Sequence, residues 1–182
     1  MTLNAVLCEG AAEQAIMTVL IEQNVLTIKQ NTLFYGKIFR DRIAKRFFER
    51  YMRSQMDEEV TIYRIVDSKK EKFKISSKIK KEFSGKYRVV DVITSPEIEI
   101  LIIIAEGKYN EFIKMKSKMK PSEYCKSKLN LKNVKDYEYV KDYFKDVNKL
   151  IDAINKYHSL MKNNKEKDTQ TLYDLLENKY KR

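Results

Sequence analysis

Five carboxylates sit where a sequence of alternating strands and helices brings ligands. Glu9 follows the apolar run "NAVLC" and opens "EGAAEQAI". Asp67 closes "TIYRIVD", and Asp91 lies inside "YRVVDVI". Glu97 and Glu99 fall two residues apart in "TSPEIEILIII". Ligands of open α/β sheets bind beyond the carboxyl ends of the strands, and Glu9 and Asp67 occupy such ends. Clustered carboxylates repel one another unless a cation offsets them. Mg²⁺ does so with one or two carboxylates, phosphate oxygens and water. Glu99 stands out, because an acid buried in so apolar a run must be paired or bound to a metal. Each acid also has a structural alternative. Glu9 can favour a helix N-terminus through the dipole, Asp67 can belong to an exposed turn, and Glu97 can pair with a lysine.

The charge balance points to a polyanion. Thirty-seven Lys and Arg outnumber 26 Asp and Glu, for a net charge of +11 over 182 residues. Such an excess favours nucleic acid, although a Lys-, Asn-, Ile- and Tyr-rich composition also arises without that function. A Mg²⁺ site, or a Mn²⁺ site, in a basic surround suits phosphodiester chemistry: cations hold the strand and the metal stabilises charge developing on phosphate.

Other chemistries lack their residues. The single histidine, His158, lies among polar neighbours on a helix and reads as a surface residue. Cys8 and Cys125 show no metal-ligand spacing, and Cys8 falls on a buried strand. There is no Ser/His/Asp set, Walker-type loop or Rossmann fingerprint. No apolar run approaches the roughly 20 residues of a membrane span. Glu9 interrupts the first apolar run and no basic stretch precedes it, so no signal peptide is expected and the reducing cytoplasm is.

The elements that must position these residues are set by periodicity. Residues 4–8 read as a strand and 11–23 as a helix. Residues 24–29 are a strand candidate. Phe34, Ile38, Ile43, Phe47, Tyr51 and Met52 give 33–53 a helical stripe, ringed by Arg40, Arg42, Lys45, Arg46, Arg50 and Arg53. Residues 59–68 and 86–93 are strands; 71–80 alternates as a weak edge strand or hairpin arm. Residues 97–105 fit a buried strand, with Glu97 and Glu99 on one face, or a buried helix. Beyond them the pattern is helical: 109–119, a short helix from Pro121, 134–161, and a capped helix from Asp168. The expected fold is a small, mostly parallel α/β sheet over 1–107 with a helical C-terminal part over 108–182.

The motif "AVLCEGAAEQAI", carrying Glu9, Gly10 and Glu13, resembles the first motif of the TOPRIM domain found in topoisomerases, primases and phage-defence nucleases of the OLD family. The resemblance implies acid–base work or metal binding by Glu9 and a Mg²⁺ ligand at Asp67. Lys69 stands where the family's second aspartate would be. "TSPEIEILIII" resembles RloB-like abortive-infection proteins and places that family's glutamate on Glu99. By resemblance the chain would be a Mg²⁺-dependent phage-defence or prophage nuclease. Glu9 would be its catalytic residue and Asp67, Glu99 and Glu97 its metal ligands, with Asp91 a spare. Arg40, Arg42, Arg46 and Arg50 would hold DNA or RNA, and a partner ATPase is possible. The Lys69 departure favours a second reading, a degenerate module that binds nucleic acid or a partner protein. In a third, the chain is a phage or toxin–antitoxin accessory protein whose long helix mediates homo-oligomerisation through Tyr137, Tyr139, Tyr143 and Tyr157, residues that core packing explains more cheaply.

Overall fold

The structure is a computed structural model that describes residues 2–55, 58–68, 70, 72–161 and 170–182. Its centre is a four-stranded parallel sheet in the order β2-β1-β3-β4, formed by β1 (Leu3–Cys8), β2 (Leu33–Arg40), β3 (Val60–Val66) and β4 (Tyr87–Ile93). Parallel neighbours need crossovers, and helices supply them. Helix α1 (Ala11–Glu22) joins β1 to β2, α2 (Ala44–Arg50) joins β2 to β3, and α3 (Ser77–Glu82) joins β3 to β4. The α/β expectation is met.

Strand alternation divides the core into two layers. Val6 and Cys8 of β1, Ile65 of β3 and Val92 of β4 face one side. Ala5 and Leu7 of β1 with Val60 and Ile62 of β3 face the other. The first layer receives α1 and the helices that follow β4; the second receives Phe47 and Phe48 of α2 and Ile79 of α3. The connection after β1 therefore leaves on one face, and the connection after β3 packs on the opposite face. Between these neighbours the direction of winding reverses, and the carboxyl ends at such a switch point are where open α/β sheets form their ligand crevice.

After β4 the chain is helical: α4 (Ile100–Ala105), α5 (Tyr109–Ile113), α6 (Pro121–Lys128), α7 (Tyr137–Tyr143), α8 (Val147–Met161) and α9 (Leu172–Leu175). Ile100 to Ile104 are all buried, so α4 is apolar on every side and its sequence carries no helical stripe. That resolves residues 97–105 as a turn followed by a helix. Among the described residues no helix is long and apolar enough to cross a membrane.

Several expected elements differ. Residues 33–53 are strand β2, a turn and α2 instead of one helix. The cause lies in β2, where β1 advances from Asn4 to Val6 while β2 advances from Leu33 to Ile38. The extra residues form an outward excursion in which Tyr35 and Gly36 take φ of +55° and +62°. The excursion leaves Phe34 and Ile38 four apart, which imitates helical spacing. Residues 24–29 form no strand; Leu26 makes an isolated antiparallel bridge to Leu176. Residues 72–76 are irregular, and Ser76 then caps α3 by accepting from the Ile79 N–H at 3.3 Å. The helical span 134–161 breaks at 144–146 into α7 and α8. Lys69 and the Asp168 helix start lie outside the described residues.

Candidate active site at the carboxyl ends of the strands

Glu9 follows β1 directly and Asp67 follows β3 directly, so the two acids flank the crevice where the winding reverses. The Glu9 side chain is 8% exposed and meets the Arg42 guanidinium at 3.3 Å. Arg42 also donates to the Glu9 carbonyl at 3.4 Å, which ties the loop after β2 to the end of β1. Asp67 is half-buried.

The motif Glu-Gly-x-x-Glu has a local explanation. Gly10 is the N-cap of α1 and Glu13 is its third residue, the place from which an acid reaches back to the cap N–H. The Glu13 carboxylate turns back over Gly10 and accepts from backbone N–H groups there. Burial nevertheless dominates and raises the Glu13 carboxyl, against those hydrogen bonds and the charges of Lys135 and Arg42.

Glu97 and Glu99 part company. Both are buried, at 8% and 4% exposure. Glu97 Oε2 accepts from the Ser122 N–H at 3.1 Å and from its hydroxyl at 2.8 Å, and Oε1 accepts from Lys135 Nζ at 3.4 Å. Burial opposes ionisation of Glu97, but these partners outweigh it and hold its carboxyl below the usual range. Glu97 thus caps α6 from outside that helix and fixes α6 to the sheet. Glu99 stands at the N-cap of α4. Burial pushes its carboxyl up to about 7, with the charges of Glu97 and Glu13 adding to the effect and Lys135 opposing it.

Lys135 is the residue that sequence reading missed. Partial burial disfavours its charge, yet Glu99 and Glu97, with a smaller contribution from Asp67, raise its ammonium above the ordinary value. Its field also reaches Glu13. One cation in the turn before α7 is therefore the common electrostatic neighbour of Glu13, Asp67, Glu97 and Glu99. The signal available in the sequence was Val134, a buried anchor beside it, and nothing in that pattern singles out the lysine.

The other expected residues divide. Asp91 lies within β4, opposite Arg64 in register, and its Oδ1 accepts from Arg64 at 2.9 Å on the face that carries α2. It is a structural ion-pair residue away from the cluster. Arg46 is committed to Asp41, with contacts of 2.8 to 3.1 Å, and Arg42 to Glu9. Arg40 and Arg50 are exposed and form no ion pair among the described residues. Cys8 and Cys125 are buried thiols, and burial raises both, Cys125 to about 12. His158 stacks on Tyr173 with ring centroids 3.6 Å apart.

A shallow cavity of about 170 Å³ opens beside the cluster, lined by Asp67, Pro96, Glu97, Lys116, Met119, Lys120 and Pro121. Asp67 and Glu97 thus share a surface with two lysines of the α5–α6 connection. The donor set around the crevice is all oxygen, the chemistry a hard cation takes. Among the described residues no three His, Cys, Asp or Glu side chains converge closely enough to hold an ion as they stand. Two carboxylates with phosphate oxygens and water would meet the needs of Mg²⁺. The arrangement can therefore supply a carboxyl that exchanges its proton near neutral pH, acidic oxygens for a cation, and a basic rim for phosphate. Compared with protein-family models, with curated proteins and with solved structures, the chain matches none.

Proposed function

We propose that the chain is a Mg²⁺-dependent nucleic-acid-processing protein, a TOPRIM-like nuclease whose reaction takes place at the crevice between β1 and β3. The observation that carries this reading is the placement of Glu9 and Asp67 at the carboxyl ends of β1 and β3, between which the winding reverses, with Asp67 and the buried Glu99 both in the field of Lys135. Switch-point crevices are the ligand sites of open α/β sheets. A carboxyl held near pH 7 is poised to give or take a proton at neutral pH, and the Glu99 carboxyl is pushed to about 7. Asp67 with Glu9 or Glu99 would hold Mg²⁺ together with phosphate oxygens and water; when bound, it supplies charge stabilisation on phosphate. Arg40 and Arg50 would take the phosphate backbone, while Glu97 positions α6 and Lys135. The resemblance of "AVLCEGAAEQAI" and "TSPEIEILIII" to phage-defence proteins supports a defence or prophage setting.

A second reading, a module that binds nucleic acid without cutting it, has its own support. Glu13 is turned onto Gly10, Glu97 is saturated by Ser122 and Lys135, and Glu9 is paired with Arg42. One assay separates the two. Purified protein is incubated with supercoiled DNA, single-stranded DNA and RNA, in Mg²⁺, Mn²⁺ or EDTA. Cleavage that requires metal and disappears in Glu9→Gln and Glu99→Gln supports the nuclease. Salt-sensitive binding with no cleavage of any substrate sinks it.

A further inference from the structure

The excursion in β2 carries chemistry that packing does not require. Tyr35 holds φ of +55°, a conformation that costs a bulky residue on the order of 1–3 kcal/mol. Glycine or asparagine would fill the place without that penalty. The strained residue is also one of the large apolar-bodied side chains left exposed, at 46%. Its ring stands edge-on to Phe34 and Tyr51, with centroids at 4.8 and 5.7 Å, and its hydroxyl is tied to the Ser54 hydroxyl. The ring is therefore fixed in position and partly open to solvent. Beside it the exposed Lys37 lies over the rings of Tyr51 and Phe39, its Nζ 4.9 and 5.1 Å from their centroids. From this tab β2 runs toward its carboxyl end, where Arg40 is exposed and Arg42 reaches Glu9. Between residues 35 and 55 seven basic side chains face two acidic ones.

We infer that Tyr35 and Lys37 form a docking track for single-stranded nucleic acid on the α2 face of β2, with an unpaired base stacked on Tyr35 and an adjoining phosphate held by Lys37. An exposed aromatic ring beside a cation is how sequence-tolerant single-strand sites are built. A base inside a duplex is already stacked on both faces and has none to offer the ring. The track rests on the nucleic-acid reading above and names its substrate as single-stranded.

The test is binding in EDTA, where no metal-dependent cleavage intervenes. Dye-labelled oligothymidylate, oligouridylate and a duplex of equal length are titrated with the full chain and followed by anisotropy. Tighter binding of either single strand than of the duplex is expected. Tyr35→Asn, which accepts the left-handed backbone, should weaken single-strand binding about ten-fold or more and leave the duplex unchanged. Tyr35→Phe should retain it. Lys37→Gln, which leaves the backbone untouched, should lower the salt slope by about one. Equal affinity of wild type and Tyr35→Asn, or an unchanged salt slope in Lys37→Gln, overturns the track. These outcomes are independent of catalysis. Tyr35-dependent binding without cleavage keeps the track and removes the nuclease; cleavage that needs Glu9 but ignores Tyr35 does the reverse.

Discussion

Lys135 reaches across from the turn before α7 and sets its Nζ 3.4 Å from Glu97 Oε1, while its charge is felt by Glu99 and Asp67 as well. One exposed lysine thus serves a group of acids contributed by three separate stretches of chain. Replacing it with methionine removes that shared counter-charge. The Glu99 carboxyl should then titrate above its present value of about 7. Side-chain carboxyl NMR of wild type and Lys135→Met checks the shift; an unmoved Glu99 titration would show that the lysine does not govern the cluster.

Glu99 also makes a prediction about pH and stability. Its carboxyl is raised in the folded chain from an ordinary 4.5 to about 7, so between those values the folded state binds more protons than the unfolded one. Stability from this group is fully present below about 4.5 and declines as pH rises through about 7. Glu99→Gln should therefore be more stable than wild type at pH 8, by on the order of 1–3 kcal/mol, and gain nothing at pH 4. Melting temperatures at the two pH values test it. Under the nuclease reading, Mg²⁺ should raise the wild-type melting temperature at pH 8 and do so less in Glu99→Gln.

Glu97 has the opposite sign. Its carboxyl is held below the usual range in the folded chain, so its contribution is present above the unfolded value and is lost as pH falls through the folded one. Glu97→Ala strands the Ser122 N–H at the start of α6 and should cost about 1–3 kcal/mol at neutral pH. Denaturant melts at pH 7 and pH 3 should show a larger loss at the first than at the second.

Tyr157 positions the segment that carries both glutamates. Its hydroxyl donates to the Ser95 carbonyl at 2.9 Å and accepts from the Ser95 N–H at 3.1 Å. Tyr157→Phe leaves both backbone groups without that partner and should destabilise the chain by about 1–3 kcal/mol. Amide hydrogen exchange at Ser95 should accelerate relative to amides on β1; unchanged protection would count against the role.

The sequence disclosed the scaffold more readily than the site. Strands at Val60 and Tyr87 and the strand-to-helix turn at Glu9 were legible because each shows one period without interruption. The Arg40–Arg50 region was not, since the extra residues in β2 shift its pattern into a helical register. The α4 run was ambiguous because burial on all sides leaves no stripe to read. Glu9 and Asp67 were read at strand ends, which is where they stand. Lys135 escaped because a lone lysine in a lysine-rich chain has no pattern, and Asp91 was overvalued because its partner Arg64 is a neighbour only across the sheet.

The excursion at Tyr35 and Gly36 bears on how the protein behaves in company. A sheet edge with a regular row of unpaired N–H and C=O groups is a template for other chains. Here β2 is one edge and its ladder is broken midway by the protruding turn. The other edge, β4, is met by Gln170, which bridges Val92 and accepts from the Ile93 N–H at 2.8 Å. The β2 margin therefore offers no long flat ladder for an incoming strand, and β4 is met at its carboxyl end. Protection from sheet-to-sheet aggregation is thus built into the same irregularity that lifts an aromatic ring into solvent.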